Sequence, residues 1–130
     1  MTDTLQEIAF EPNPALGENK DQYETAEIDI SAALAHWQHS LFSFELLDAK
    51  GGVKPDSKLK DGDLQKRQAV RDMLRKGESL PMPLVGLGLI DNLEIPMGRE
   101  VLSTLALEGY TRARVHVRAD HKEPILKLCG

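Results

Sequence analysis

Strands are predicted where apolar and polar residues alternate along the chain. The alternation is clearest over residues 24–30 and 112–118, where every second residue is apolar. A similar pattern predicts a strand over 42–47. Two further apolar runs, 84–89 and 93–95, are separated by a turn-forming Asp-Asn pair and predict a hairpin.

Helices are predicted where apolar residues recur every three or four positions. Ser31 is expected to cap the first helix, and Asp63 to cap a second over 64–76 that ends at Gly77 with its lysines and arginines facing solvent. A third helix is expected to begin at Arg99. The predicted buried residues are Leu34, Trp37 and Leu41 in the first helix, Ala69, Val70, Met73 and Leu74 in the second, and Val101, Leu102 and Leu105 in the third.

These elements predict a single α+β domain with a mixed sheet and packed helices over residues 23–130. A chain of 130 residues is long enough for one core. Residues 1–22 have the composition of an acidic, partly disordered arm, and residues 48–63 form a long polar connection. The first residues lack a basic stretch followed by an apolar core, and no apolar run is long enough to span a bilayer, so neither a signal peptide nor a membrane segment is expected.

Charge is distributed unevenly between the two parts of the chain. Residues 1–49 have a net charge of −9, and residues 50–130 have a net charge of +4. The predicted outer row of the last strand contains His116 beside three arginines. A basic face that could contact nucleic acid or a nucleotide phosphate is therefore predicted from Arg67, Arg71, Arg75, Arg112, Arg114 and Arg118. The alternative is an ordinary solvated face whose charges pair with the acidic first third, and the overall charge of −5 argues against non-specific DNA binding.

The stretch LEIPMGREVLSTLALEGY contains the strongest candidate site, Gly98, Arg99 and Glu100. A glycine lets the backbone approach an anion, and the first N–H groups of a helix have no partner within it. An arginine adds a bidentate donor for phosphate. The alternative is a helix that begins here without a ligand.

Residues 79–118 also carry a resemblance to a known superfamily. They contain the Leu-Pro-x-Pro entry at 80–83, an apolar strand, a turn, a short strand, Gly98-Arg99, a helix closed by Gly109 and a valine-rich strand. This order resembles the core of the ParB/sulfiredoxin superfamily. The resemblance implies a Gly-Arg-His-Arg type of box in which the helix N-terminus binds a nucleotide phosphate.

The box departs from that pattern in two positions. Glu100 replaces the histidine and Val101 replaces the final arginine, and a glutamate in the first turn repels phosphate. Sulfiredoxin chemistry is not expected, because the only thiol is that of Cys129 at the far end of the chain.

Other candidate sites are weaker. Asp91 and Glu94, with Asp61 and Asp63, offer oxygen ligands for Mg²⁺, although an acidic turn and a helix cap explain them equally. His36 and His39 have a spacing that can hold a metal, but no third ligand is evident. No catalytic residue is assigned.

Two functions from different classes remain open at this point. The first is a small ParB-like protein from a plasmid or other mobile element, a non-catalytic module that binds another protein and regulates or inhibits DNA transfer or maintenance. The second is a nucleotide-dependent ParB-like nuclease or NTPase that uses Gly98 and Arg99 with a nucleotide and Mg²⁺. The single cysteine is consistent with a reducing compartment, so the cytoplasm is expected.

Overall fold

The described residues contain six strands, four of which form the main sheet. The computed structural model describes residues 8–130. The strands are β1 (Phe10–Glu11), β2 (Tyr23–Asp29), β3 (Leu80–Pro81), β4 (Leu84–Leu87), β5 (Leu93–Met97) and β6 (Arg112–Arg118). The main sheet has the order β2-β6-β4-β5, in which β6 runs antiparallel to β2 and parallel to β4, and β4 pairs with β5 as a hairpin. Strands β1 and β3 form a separate parallel pair.

Four helices lie within the part of the chain that the structure describes. They are α1 (Ile30–Trp37), α2 (Asp61–Lys76), α3 (Arg99–Leu107) and α4 (Lys122–Cys129), with short 3-10 segments at Pro14–Gln22, Ser43–Glu45, Asp56–Lys58 and Ala119–His121. Helix α3 contacts both α1 and α2, while α4 contacts β2 and α1. The predicted α+β class of a single domain is confirmed.

The core lies where α1 and α3 pack against alternate residues of β2 and β6. Ile28 and Val115 are fully buried on the sheet, and Trp37, Leu102 and Leu105 are fully buried on the helices. Burying such side chains stabilises the fold by about 1.5–3 kcal/mol each. The two alternating segments and the third helix were therefore predicted correctly from their periodicity.

Three predictions around α1 are wrong. The helix cap is Asp29, whose carboxylate accepts from the Ala32 N–H at 3.2 Å, rather than Ser31. The helix ends at Trp37, so Leu41 lies outside it and is 84% exposed. The predicted strand over 42–47 is a 3-10 turn, in which Ser43 donates to the carbonyls of Gln38 and Ser40.

Helix α2 also differs from its prediction. It begins at Asp61 without a side-chain cap, and Asp63 lies in its first turn. It ends at Gly77, as predicted, because this residue has the left-handed φ of +70°. Val70 is buried but Ala69 is exposed, and Arg67, expected to face solvent, is among the most buried side chains of the protein.

Part of the predicted N-terminal arm is folded onto the domain. Residues 1–7 lie outside the described residues. Beyond them, β1 pairs with β3, Leu16 is buried, and the side chain of Asn13 caps the 3-10 segment by accepting from the Ala15 N–H. Within residues 8–130, none of the helices combines the length and apolar character needed to cross a membrane.

Candidate functional site

Helix α3 begins at the predicted position, directly after Gly98. The glycine at this position is required by the local structure. Gly98 has a φ of +85° and lies directly between β5 and α3. A Cβ added to it would lie 2.6 Å from the Pro83 Cα, which no real packing allows. The glycine is therefore needed for its backbone conformation and for the close approach of Pro83.

Arg99 is turned toward two aromatic rings. Its Nε donates to the Ile95 carbonyl at 2.8 Å, and its guanidinium carbon lies 5.0 Å from the Phe42 ring centroid and 5.9 Å from that of Trp37. Its Nη1 lies 4.0 Å from Glu45 Oε1. These contacts are cation–π and ion-pair interactions that stabilise the segment after α1. The structure thus brings Gly98, Arg99 and Glu100 together at the helix start, with the arginine engaged in holding this segment.

Next to Arg99 the molecule exposes a set of large apolar side chains. We call this set the apolar surface, and it comprises Leu41 (84% exposed), Phe42 (53%), Phe44 (61%), Leu89 (105%) and Ile90 (80%). Leu41, Phe42 and Phe44 belong to the segment after α1, and Leu89 and Ile90 to the tip of the β4–β5 hairpin. Phe44 also borders a hollow of about 430 Å³ between this segment and the following loop.

A hydrogen-bonded cluster links the segment after α1 to the β4–β5 hairpin, the two parts of the chain that carry the apolar surface. Ser40 donates to Glu94 Oε1 at 2.6 Å, and the Asn92 side-chain amide donates to Glu94 Oε2 at 2.5 Å. Ser40 immediately precedes Leu41, while Glu94 lies in the hairpin that carries Leu89. The cluster fixes the segment after α1 against the sheet edge and keeps its apolar side chains in solvent.

The same cluster uses Glu94, one of the four candidate metal ligands. Glu94 accepts hydrogen bonds from Ser40 and Asn92, while Asp91 occupies the exposed hairpin turn with a φ of +59°. Asp61 and Asp63 lie on α2. Over residues 8–130, no group of three or more His, Cys, Asp or Glu side chains is arranged to hold a metal ion.

The predicted basic face is distributed over several ion pairs. Arg71 bonds both Asp56 (2.6 Å) and Glu108 (3.1 Å), and Arg112 bonds Glu27 at 3.2 Å. Arg75 pairs with Asp72 and Arg118 with Asp120. Arg114 is exposed on β6, whereas Arg67 is buried. These six arginines therefore do not form one open cationic surface.

Two polar residues that were expected to face solvent, Arg67 and His116, are buried. Arg67 Nη1 donates to the Lys54 carbonyl at 2.7 Å and to Asp56 Oδ1 at 3.1 Å, which attaches the 48–63 connection to α2. The Arg71 and Arg67 guanidiniums hold the pKa of Asp56 below its usual value. His116 was expected in an outer basic row, but the 3-10 segment covers it and it is 5% exposed. The period-2 pattern could not reveal this cover, because Asn13 lies about a hundred residues earlier in the chain.

The apolar surface was also missed, since Phe42 and Phe44 looked like the buried face of a strand. The sequence contains only a weak signal for this surface, namely the apolar pairs Leu41-Phe42 and Leu89-Ile90 beside polar loop residues.

In comparisons with known proteins, neither a family model, nor a curated protein, nor a solved structure matches this chain.

Proposed function

We propose that this chain is a non-catalytic protein-binding module whose docking site is the apolar surface. The observation that carries the proposal is the exposure of five large apolar side chains on two segments that the Ser40–Glu94 hydrogen bond links. Monomeric proteins rarely leave contiguous apolar patches of more than roughly 300–600 Å² in water, and such patches are typical of interaction sites. Aromatic anchors like Phe42 and Phe44 are common at the centres of interfaces.

The partner would contact side chains rather than extend the sheet. Strand β5 lies at the edge, but Pro96 in it has no N–H and the Ile95 carbonyl accepts from Arg99. Proline and an occupied carbonyl make this edge a poor template for strand pairing. The rigid hairpin and the aromatic segment instead offer a surface for an apolar partner.

The geometry gives less support to a nucleotide-dependent enzyme. Arg99 is held by Ile95 and by the aromatic rings, and Glu100 adds a negative charge to the first turn of α3. A carboxylate at that position competes with a phosphate for the helix N-terminus. The ParB/sulfiredoxin resemblance remains a prediction, and it suggests regulation of DNA transfer or maintenance as the setting, in the cytoplasm.

The proposal is tested with a photo-reactive residue placed at position 41 and, as the matched control, at position 107. Leu107 is an exposed apolar residue on α3, outside the apolar surface. We expect a discrete cross-linked partner from position 41 and none from position 107. The partner is then purified and titrated against the protein by calorimetry.

Binding of that partner should weaken by at least about tenfold in the double variant Phe44→Ser/Leu89→Ser, but not in Leu107→Ser. These side chains are exposed, so stability should change by no more than about 0.5 kcal/mol per substitution. Phe42 is left intact because it contacts Arg99. Equal cross-linking from both positions would contradict the proposal, as would ATP or CTP hydrolysis that is lost in Arg99→Ala.

A further inference from the structure

Asn13 connects the N-terminal segment, defined here as residues 9–16, to the rest of the domain through two hydrogen bonds, and a third bond lies within the segment. Its backbone N–H donates to His116 Nε2 at 2.9 Å, and its side-chain amide donates to the Met82 carbonyl at 2.9 Å. Its side-chain oxygen accepts from the Ala15 N–H at 2.9 Å. The first of these bonds depends on the protonation state of an imidazole.

The segment is also held by the β1–β3 pair and by two apolar side chains, since Leu16 is buried and Phe10 packs against the core. Strand β1 contains only two residues, and the Leu80 and Met82 N–H groups donate to the Ala9 and Glu11 carbonyls at 2.8 and 2.9 Å. A parallel pair of this length is marginal without additional packing. The bond between Asn13 and His116 is one of several contacts that position the segment, and it is the one that depends on an imidazole.

His116 can accept this bond only as a neutral ring. With Nε2 as the acceptor, the ring proton must be on Nδ1. Protonation of Nε2 would direct an N–H group at the N–H of Asn13, and the two donors would repel each other. Burial lowers the pKa of His116 below its ordinary value of 6.5, because the charged ring loses its hydration.

The surroundings of His116 contain few groups that could stabilise a charged ring. From the 3-10 segment, Lys20 and Asp21 line the hollow beside it, and from β2 so do Tyr23 and Glu24. Glu24 is paired with Lys122 at 3.2 Å. Facing His116 from the other side are the uncharged Pro83, whose carbonyl accepts from the His116 N–H, and Leu84 of β4. The charged neighbours on its own strand are Arg114 and Arg118, and Arg118 is paired with Asp120.

We propose that His116 is a pH-sensitive latch that holds the N-terminal segment on the sheet when neutral and releases it when protonated. The proposal is independent of the apolar surface. The released state frees the Leu80 and Met82 N–H groups and uncovers the outer face of β6 at His116. Between pH 6.5 and the lower pKa of the latched state, one proton is taken up on release, so the latch weakens as the pH falls.

The test is NMR spectroscopy of the whole chain between pH 7.5 and 5. The amide protection factors of Leu80 and Met82 should fall below pH 6.5 by up to about tenfold per pH unit and level off once the latched ring itself titrates. Protection of the core amide of Val115 should stay unchanged over that range. In His116→Gln the side-chain oxygen can accept from Asn13 at any pH, so the fall should vanish, whereas the exposed-residue control His39→Gln should behave like the wild type.

Three outcomes would overturn the latch. One is protection at Leu80 and Met82 that does not change with pH, and another is an equal fall in His116→Gln. The third needs no variant and applies even if His116→Gln does not fold, namely a His116 ring that titrates without moving the Asn13 amide resonance.

Discussion

Gly98 satisfies two structural requirements at once, and neither involves a ligand. Its φ of +85° is in the left-handed region, and Pro83 occupies the space that a side chain would need. A glycine before a helix therefore looks the same in the sequence whether it approaches a phosphate or a proline ring. Which group lies beside the glycine is determined by tertiary structure. The sequence therefore predicted where the helix begins but not why a glycine precedes it.

Replacing Gly98 with alanine should destabilise the protein by about 2–4 kcal/mol, from backbone strain together with the clash against Pro83. The matched control is Gly109→Ala, which has a similar φ of +91° but no heavy atom within 4 Å of the added Cβ. That variant should lose only about 1–2 kcal/mol. Urea unfolding measures both losses, and an equal loss in the two variants would show that Pro83 does not constrain the position.

At the scale of elements, periodicity predicted the strands and the helix whose patterns depend on neighbouring residues. It failed where a contact with a more distant part of the chain determines the structure. Strands β2 and β6 and helix α3 follow their patterns because each buries apolar side chains in the core. The 42–47 segment has the same alternation as a strand, yet its pairing among the described residues is an isolated bridge between Leu47 and Val53. The Ser43 hydroxyl instead donates to the Gln38 and Ser40 carbonyls and closes a turn, which leaves Phe42 and Phe44 exposed. Arg67 escaped prediction for the same reason, since its partners lie in the preceding loop.

The network of Asp56, Arg67, Arg71 and Glu108 joins three elements, and Asp56 is its central carboxylate. Asp56→Asn should cost about 1–2 kcal/mol at pH 7, because the buried Arg67 guanidinium then lacks its counter-charge. The Arg71 and Arg67 hydrogen bonds lower the pKa of Asp56 below its usual 3.8. Its contribution is thus fully present above pH 3.8 and is lost as the pH falls below that value.

Urea unfolding at pH 7 and at pH 3 checks this prediction. The difference between the wild type and Asp56→Asn should narrow at the lower pH. Asp120→Asn is the control, since Asp120 also pairs with an arginine but joins no separate elements. A stability gap that does not change with pH would mean that the asparagine acts through packing rather than charge.

In the folded molecule, acidic residues from the first third of the chain form ion pairs with basic residues from the rest. Glu27 and Glu24 on β2 pair with Arg112 on β6 and Lys122 on α4, and Glu45 lies near Arg99. The basic residues are therefore partly neutralised by the acidic first third of the chain. The sequence left two alternatives open for the basic residues, a nucleic-acid or phosphate contact and a solvated face paired with the acidic first third. These ion pairs support the second alternative.

The same arrangement predicts that the protein does not bind duplex DNA through its arginines. With a net charge of −5 and most of the six arginines in ion pairs, few phosphates could be neutralised and few counterions released. Fluorescence anisotropy with a labelled duplex at physiological salt should show no binding at protein concentrations up to about 100 µM, at the weak end of non-specific affinity. The triple variant Glu27→Gln/Glu108→Gln/Asp120→Asn removes carboxylates that pair with Arg112, Arg71 and Arg118, and it should gain weak binding at low salt that disappears as salt is added. Tight, salt-sensitive binding by the wild type would instead mean that these ion pairs open on contact with DNA, and that the basic residues, rather than the apolar surface, form the functional face.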